Sequence, residues 1–226
     1  MLKCTFSFII FFLTTTLFAQ NASDFPRYTP RMLAYKTLPD EEKVEDVQTN
    51  FVLQNWRTGT VTFRNTTDKA VVPLIFDVYG NMLYFLSGNS ILEFANPVKE
   101  FTIPVIAKKD TIYLHYRSGY PAVDKNGNET FYEILVDGKF QLLRCKAKTI
   151  ALYKERDIPE EQRDYSKELF YTLLPNGKMV LVKKDKDYLL KEMSEYADRI
   201  REIIADQKLK LKDEAQLKSL FITLNR

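Results

Sequence analysis

The side chains best suited to proton transfer or nucleophilic attack are few in this chain. There is one histidine, His115, and there are two cysteines, Cys4 and Cys145. A histidine titrates near neutral pH and a thiolate is a strong nucleophile. His115 and Cys145 could therefore form a nucleophile–base pair if the fold brought them into hydrogen-bond contact. The plainer reading is a strand histidine bonded to a neighbour, and a cysteine that serves as a small buried hydrophobe in the apolar-rich stretch 140–151. Glu133 is a second candidate. Phe131, Glu133 and Leu135 share one face of an expected strand, and a carboxylate on an apolar face has a raised pKa suited to a carboxylate-based hydrolase. The simpler expectation is an edge strand with Glu133 facing solvent, because acids are rarely buried unpaired.

Two acidic stretches raise the question of a cation. Asp124-Lys125-Asn126-Gly127-Asn128-Glu129 matches the first half of an EF-hand calcium loop. Such a loop needs glycine at its sixth position and glutamate at its twelfth; here those positions hold Glu129 and Leu135. Asp40, Glu41, Glu42, Glu45 and Asp46 crowd together without a glycine-marked loop or spaced ligands, which reads as a solvated turn. No cysteine pair or His-x-x-x-His pair offers a zinc site. The seven glycines stand singly, so no phosphate-cradling loop is present. The residues thus assign no catalytic group, no metal and no cofactor.

The elements that must position these side chains begin after an N-terminal leader. Lys3 precedes an apolar run at 6–13, and Leu17-Phe18-Ala19 ends on a small residue. That layout is a secretory signal peptide, expected at 1–19, rather than a membrane anchor, which needs a longer apolar stretch. No later segment is long and apolar enough to span a bilayer. Removal of the leader takes Cys4 with it, leaves Cys145 alone and excludes an intramolecular disulfide. The chain of 226 residues is 45% hydrophobic and 28% charged, with net charge +3. This is material for one domain with a sizeable core, and it gives no electrostatic reason to expect nucleic acid. Asn21, Asn65 and Asn128 open glycosylation sequons that matter only in a eukaryotic secretory pathway.

Residues 20–50 read as an N-terminal arm, with prolines at 26, 30 and 39. Residues 51–183 read as an antiparallel β region. Val61 and Phe63, then Leu74, Phe76 and Val78, alternate with polar or outward-facing neighbours. Gly80-Asn81, Gly88-Asn89, Asp137-Gly138 and Asn176-Gly177 punctuate the strands as tight turns. Pro104 marks a strand end or a sheet edge. The charged stretch 157–166 reads as a surface loop. From 184 to 226 the period becomes helical: Leu189, Leu190 and Met193; then Tyr196, Ile200, Ile203 and Ile204 after a possible cap at Ser194; then Leu217, Leu220, Phe221 and Leu224 after Asp213 and Gln216. These helices are expected to pack on the same domain. The fold class is α+β: a twisted antiparallel sheet, meander or partial barrel, of about eight to ten strands with two or three C-terminal amphipathic helices.

Three stretches carry a resemblance. They are Trp56-Arg57-Thr58-Gly59-Thr60-Val61, the run 77–85 around Gly80-Asn81, and the run 131–138 ending in Asp137-Gly138. Together with the late helices they resemble a group of short secreted proteins of Gram-negative bacteria. The resemblance implies an extracytoplasmic location, periplasmic, envelope-associated or secreted, and it brings no catalytic residues. With 13 tyrosines and 16 phenylalanines, most aromatics should pack the sheet, and a subset on an exposed face could bind a protein strand, a glycan or an apolar ligand. The expected function is a non-enzymatic binding or envelope-associated protein. The alternatives are a carrier of lipid or another apolar ligand in a curved sheet, and a carboxylate-based hydrolase. A large apolar pocket would favour the carrier, two facing acids the enzyme, and an aromatic patch or open strand edge the binding protein.

Overall fold

The computed structural model describes residues 31–32, 56–78, 80–107, 110–153 and 161–226, with the backbone alone at 31–32, 107, 147–153 and 161–166. The expected leader, most of the arm and the acidic run 40–46 lie outside the described residues. The strands are β1 (Arg31–Met32), β2 (Arg57–Phe63), β3 (Lys69–Asp77), β4 (Met82–Ser87), β5 (Ser90–Glu93), β6 (Val98–Ala107), β7 (Asp110–Arg117), β8 (Tyr132–Val136), β9 (Gln141–Tyr153), β10 (Glu161–Leu173) and β11 (Met179–Val182). They form one twisted, open antiparallel sheet in the order β1-β5-β4-β3-β2-β6-β7-β8-β9-β10-β11. Helices α1 (Lys186–Glu192), α2 (Ala197–Asp206) and α3 (Glu214–Leu224) follow. The fold is α+β, as the sequence pattern implies.

Chain order and strand order agree except at one step. β5 is followed by β6, which lies beside β2 on the far side of β4 and β3. In a flat sheet those strands stand roughly 19 Å apart, and the five steps across residues 94–97 reach only about 18 Å fully extended. The sheet must curl. Phe94 in that short link packs inside the curl, with ring centroids 5.7 Å from Phe63 and 4.5 Å from Phe85. The concave face is filled by Val61, Phe63, Leu74, Phe76, Phe101 and Ile103 among others. Gly59 permits the tight approach of β2 to β6: a β-carbon there would sit 2.4 Å from the Thr102 carbonyl oxygen.

The helices cover the other half of the same face. Alternation along β9 puts Leu142 and Arg144 toward them, and Leu143 and Cys145 on the opposite side. Leu142, Phe170, Val180 and Val182 meet Leu189, Ile200, Leu217 and Phe221 in one core. The Asp213 carboxylate accepts from the Gln216 amide N–H at 2.9 Å, capping α3. At α1 the cap is Asp185, which accepts from Tyr188 N–H at 2.7 Å. Ser194 does not cap α2. It opens a 3₁₀ turn, Ser194–Tyr196, and α2 starts after Tyr196 without a side-chain cap.

Three further expectations meet the structure differently. Arg31 and Met32 of the arm pair with Glu93 and Leu92 and so belong to the sheet edge. Of the two outcomes expected at Pro104 the structure has the edge: β6 runs on to Ala107, while its pairing with β2 goes no further than Thr102. Residues 161–166 are strand, because β9 and β10 pair over thirteen positions, from Leu173↔Gln141 to Glu161↔Tyr153. Charged stretches without apolar alternation read as loop in sequence, and here the pairing partner decides.

Asn225 ties the end of α3 to the β8–β9 turn. Its side-chain Oδ1 accepts from Phe140 N–H at 2.9 Å, and its Nδ2 donates to the carbonyls of Phe140 and Phe221, each at 2.9 Å. Gly138 (φ 136°) lies beneath it, where a β-carbon would fall 2.6 Å from Oδ1. Asn225→Ala should lower unfolding free energy by about 2–3 kcal/mol, since it strands buried backbone groups, and urea titration would measure the loss.

Candidate functional site

Tyr116 on β7, Glu133 on β8 and Arg144 on β9 stand directly opposite one another in register. Arg144 grips the Glu133 carboxylate in a fork: Nε to Oε2 is 3.0 Å, and Nη2 lies 2.7 Å from Oε1 and 2.8 Å from Oε2. Its third nitrogen, Nη1, donates to Glu214 Oε2 on α3 at 2.8 Å and lies 3.7 Å from Glu168 Oε1. Lys218 holds the second Glu214 oxygen at 2.6 Å. Tyr116 stands opposite Glu133 on β7; burial first, and then the Glu133 charge, raise its pKa far above the ordinary value, so it keeps its proton. Burial opposes the charge on Arg144, but the hydrogen bonds and charge of Glu133 more than offset this and keep it protonated.

Glu133 is therefore not a solvent-facing residue of an edge strand. It is only 7% exposed, and β8 is internal, flanked by β7 and β9. The residue that makes its burial tolerable is Arg144, which the sequence reading passed over. The available signal was an arginine set inside the run Leu142-Leu143-Arg144-Cys145: a charge in an apolar strand calls for a buried partner. A crevice beside the cluster, between Phe76, Asn81, Phe131 and Lys146, has a cavity volume of about 10 Å³, the space of one water. With both carboxylate oxygens held by Arg144, Glu133 has the geometry of a clamp and not of a free general acid.

The other candidates are held apart. His115 is half-exposed, with Nε2 3.5 Å from Glu100 Oε2 on β6. Arg117 shares Glu100, at 2.9 Å, and also binds Asp137. Cys145 lies on β9, with β8 between it and the strand of His115. It is buried among Tyr132, Leu143 and Tyr171, and burial pushes its thiol up to about 11. Its S–H points to the adjacent Lys146 carbonyl at 3.7 Å. Such a thiol is a packing group.

The loop at 124–129 is pinned by the protein itself. Tyr171 donates to Asp124 at 3.0 Å, and Arg64 donates to the Asn128 carbonyl and to Glu129, both at 2.7 Å. Oxygens that a calcium ion would need are thus taken by a guanidinium and a phenol. Among the described residues no group of three His, Cys, Asp or Glu side chains is placed to hold a metal.

What stands open is the β6–β7 hairpin. β2 pairs with β6 no further than Thr102, and β8 pairs with β7 only at Tyr116 and Arg117. Beyond those points no strand among the described residues pairs with the outer edge of β6 or of β7. The hairpin's apolar side chains are uncovered on both faces: Ile106 is 62% and Tyr113 69% exposed on one face, and Ile112 46% on the other. Comparison with protein-family models, curated proteins and solved structures finds no match to this chain. Its function must therefore be argued from geometry.

Two measurements test the clamp. Arg144→Met should destabilise by about 3–5 kcal/mol, because it leaves Glu133 buried and unpaired, while the double variant Glu133→Leu/Arg144→Met should recover most of that loss; denaturant unfolding of both variants checks this. The second is acid titration. Burial alone would raise the Glu214 pKa, but the Lys218 hydrogen bond and the Arg144 charge hold it below its ordinary 4.5. A folded pKa below the unfolded one gives stability that is complete above about pH 4.5 and is lost as pH falls through the depressed value. The midpoint of urea unfolding should fall in that acid range, and less steeply in Glu214→Gln.

Proposed function

We propose that this chain is an exported, non-enzymatic binding protein of the cell envelope that engages a partner through the projecting β6–β7 hairpin. The observation that carries this reading is the exposure of Ile106, Ile112 and Tyr113 on both faces of the hairpin's far end. Uncovered apolar groups of this size cost solubility unless something binds them, and Tyr113 combines an apolar ring with a polar tip suited to an interface. The leader-like residues 1–19 and the resemblance to secreted proteins support export.

The rival readings have less behind them. A hydrolase built on carboxylates needs one acid free to move a proton, whereas Glu133 and Glu214 share Arg144 between them. A lipid carrier needs a cavity of several hundred Å³, and the crevice at the seam has space for a single water. Among the described residues no helix is long and apolar enough to cross a membrane.

The test is recovery of a partner from envelope fractions by the tagged mature protein, with Ile106→Ser/Tyr113→Ser as the variant and Val71→Ser, an exposed site on β3, as the control. The partner should be retained by the native protein and the control and lost from the double variant. A partner held equally by all three, or the intact unprocessed chain recovered from the cytosol, would remove this reading.

A further inference from the structure

We propose that the seam between the two halves of the sheet is a hinged cleft and that Asn81 is the latch holding it shut, a device independent of what the hairpin binds. The halves carry separate cores: Phe76, Phe101 and Tyr116 lie in one, and Val136, Leu142 and Phe170 in the other. β7 and β8 meet at the join. They share two register positions, against eight for β6 with β7 and thirteen for β9 with β10. So short a ladder is where the sheet parts most easily, since local opening follows the regions with fewest contacts. β8 moves with β9, to which the Glu133–Arg144 fork fastens it.

The two faces of the join are tied unequally. On the outer face Arg117 of β7 reaches Asp137, just past β8, at 3.1 Å. The loop before β8 spans the join there as well. Arg64 holds it to the curled half through the Asn128 carbonyl, while Tyr171 binds its Asp124 and Gln141 accepts from its Tyr120. This tied side is the hinge axis. On the inner face, among the described residues, the hydrogen bonds across the join come from one side chain. Asn81, in the β3–β4 turn, accepts at Oδ1 from Phe131 N–H at 2.7 Å and donates from Nδ2 to the Phe131 carbonyl at 3.1 Å. It thus serves the Phe131 backbone as a neighbouring strand would, and it holds that ring against Phe76 and Phe101, 5.9 and 5.1 Å away between centroids. Behind the latch lies the crevice of about 10 Å³, with Phe76 and Phe131 on one side and Glu133 and Arg144 on the other. Opening wets apolar rings, which is unfavourable, but it also rehydrates an ion pair whose burial carries a desolvation penalty. A cleft floored by charges therefore opens at less cost than an apolar one of the same size.

Asn81→Gly in the mature protein tests this. Glycine accepts the φ of 55° found at this position, so the variant removes the latch and keeps the turn. Hydrogen exchange should quicken about tenfold or more at residues 131–136, with the Val61 and Ile103 strands and helices α2 and α3 unchanged. Equal quickening throughout the chain, or none at 131–136, would overturn the proposal. A distance measurement separates hinging from fraying. Spin labels on Val71→Cys and Ile222→Cys stand on exposed sites of the curled and helix-backed halves, and the native thiol of Cys145 is buried and takes no label. Their distance distribution should be narrow with Asn81 in place and should broaden toward longer separations in Asn81→Gly. Faster exchange at 131–136 with an unchanged distribution reduces Asn81 to a local brace and refutes the hinge.

Discussion

One row of side chains runs across the sheet, and a single ion pair sits at its middle. In register the row reads Ala70, Val61, Phe101, Tyr116, Glu133, Arg144, Phe170 and Val182, from β3 to β11. On one side of Glu133 it belongs to the core inside the curled strands; on the other side of Arg144 it belongs to the core beneath the helices. The pair is where two separately packed apolar regions meet, and Glu214 extends it to α3. Burying these charges costs desolvation energy that an apolar pair would not. What the fork adds is direction. Two parallel N–H···O bonds fix β8 against β9 in one register, and the third arm fixes the first turn of α3 above them. A one-residue slip of β8 would send Glu133 to the face of Tyr132 and Cys145, away from Arg144.

The same constraint explains why β8 is short. Its pairing with β9 shifts register between Ile134 and Val136, and with β7 it shares only two positions. After Glu133 its pairing with β7 ends, while Asp137 just past the strand lies 3.1 Å from Arg117. Bulged strands bend and twist locally. Among the described residues the rest of β7 is paired with β6 alone. The irregular strand thus holds the buried ion pair and also leaves the end of the hairpin without a second paired neighbour.

Local chemistry was readable where a residue type carries its own geometry. The turns at Gly80-Asn81, Asp137-Gly138 and Asn176-Gly177, the cap at Asp213 and the apolar stripes of α2 and α3 follow from positive-φ tolerance, side-chain capping and helical period. The burial of Cys145 was also readable, from the apolar strand around it. Glu133 was not, because two-residue alternation assigns a face without saying whether the strand is internal, and only the partner strand's Arg144 decides. Strand order was equally hidden. The return from β5 to β6 beside β2 depends on curling of the sheet, which no single strand encodes. The hairpin site was half legible: Tyr113 and His115 share a face in sequence, but their exposure depends on where β2 and β8 stop pairing.

Among the described residues the one cysteine, Cys145, is a free buried thiol, so their cohesion comes from packing. The aromatic side chains supply much of it. Phe76, Phe101, Tyr116 and Phe131 contact one another with ring centroids 4.9–5.9 Å apart, mostly edge to face or tilted. Tyr120, Tyr132 and Tyr171 form a second set on the opposite side of the sheet, at 5.5 Å. Each well-oriented pair adds about 0.5–1.5 kcal/mol beyond the area it buries. Tyr116 belongs to the first set and stands directly opposite Glu133, so the aromatic mesh borders the ion pair. The mesh walls the carboxylate off from water on that side, and the carboxylate keeps Arg144 between the sheet and α3.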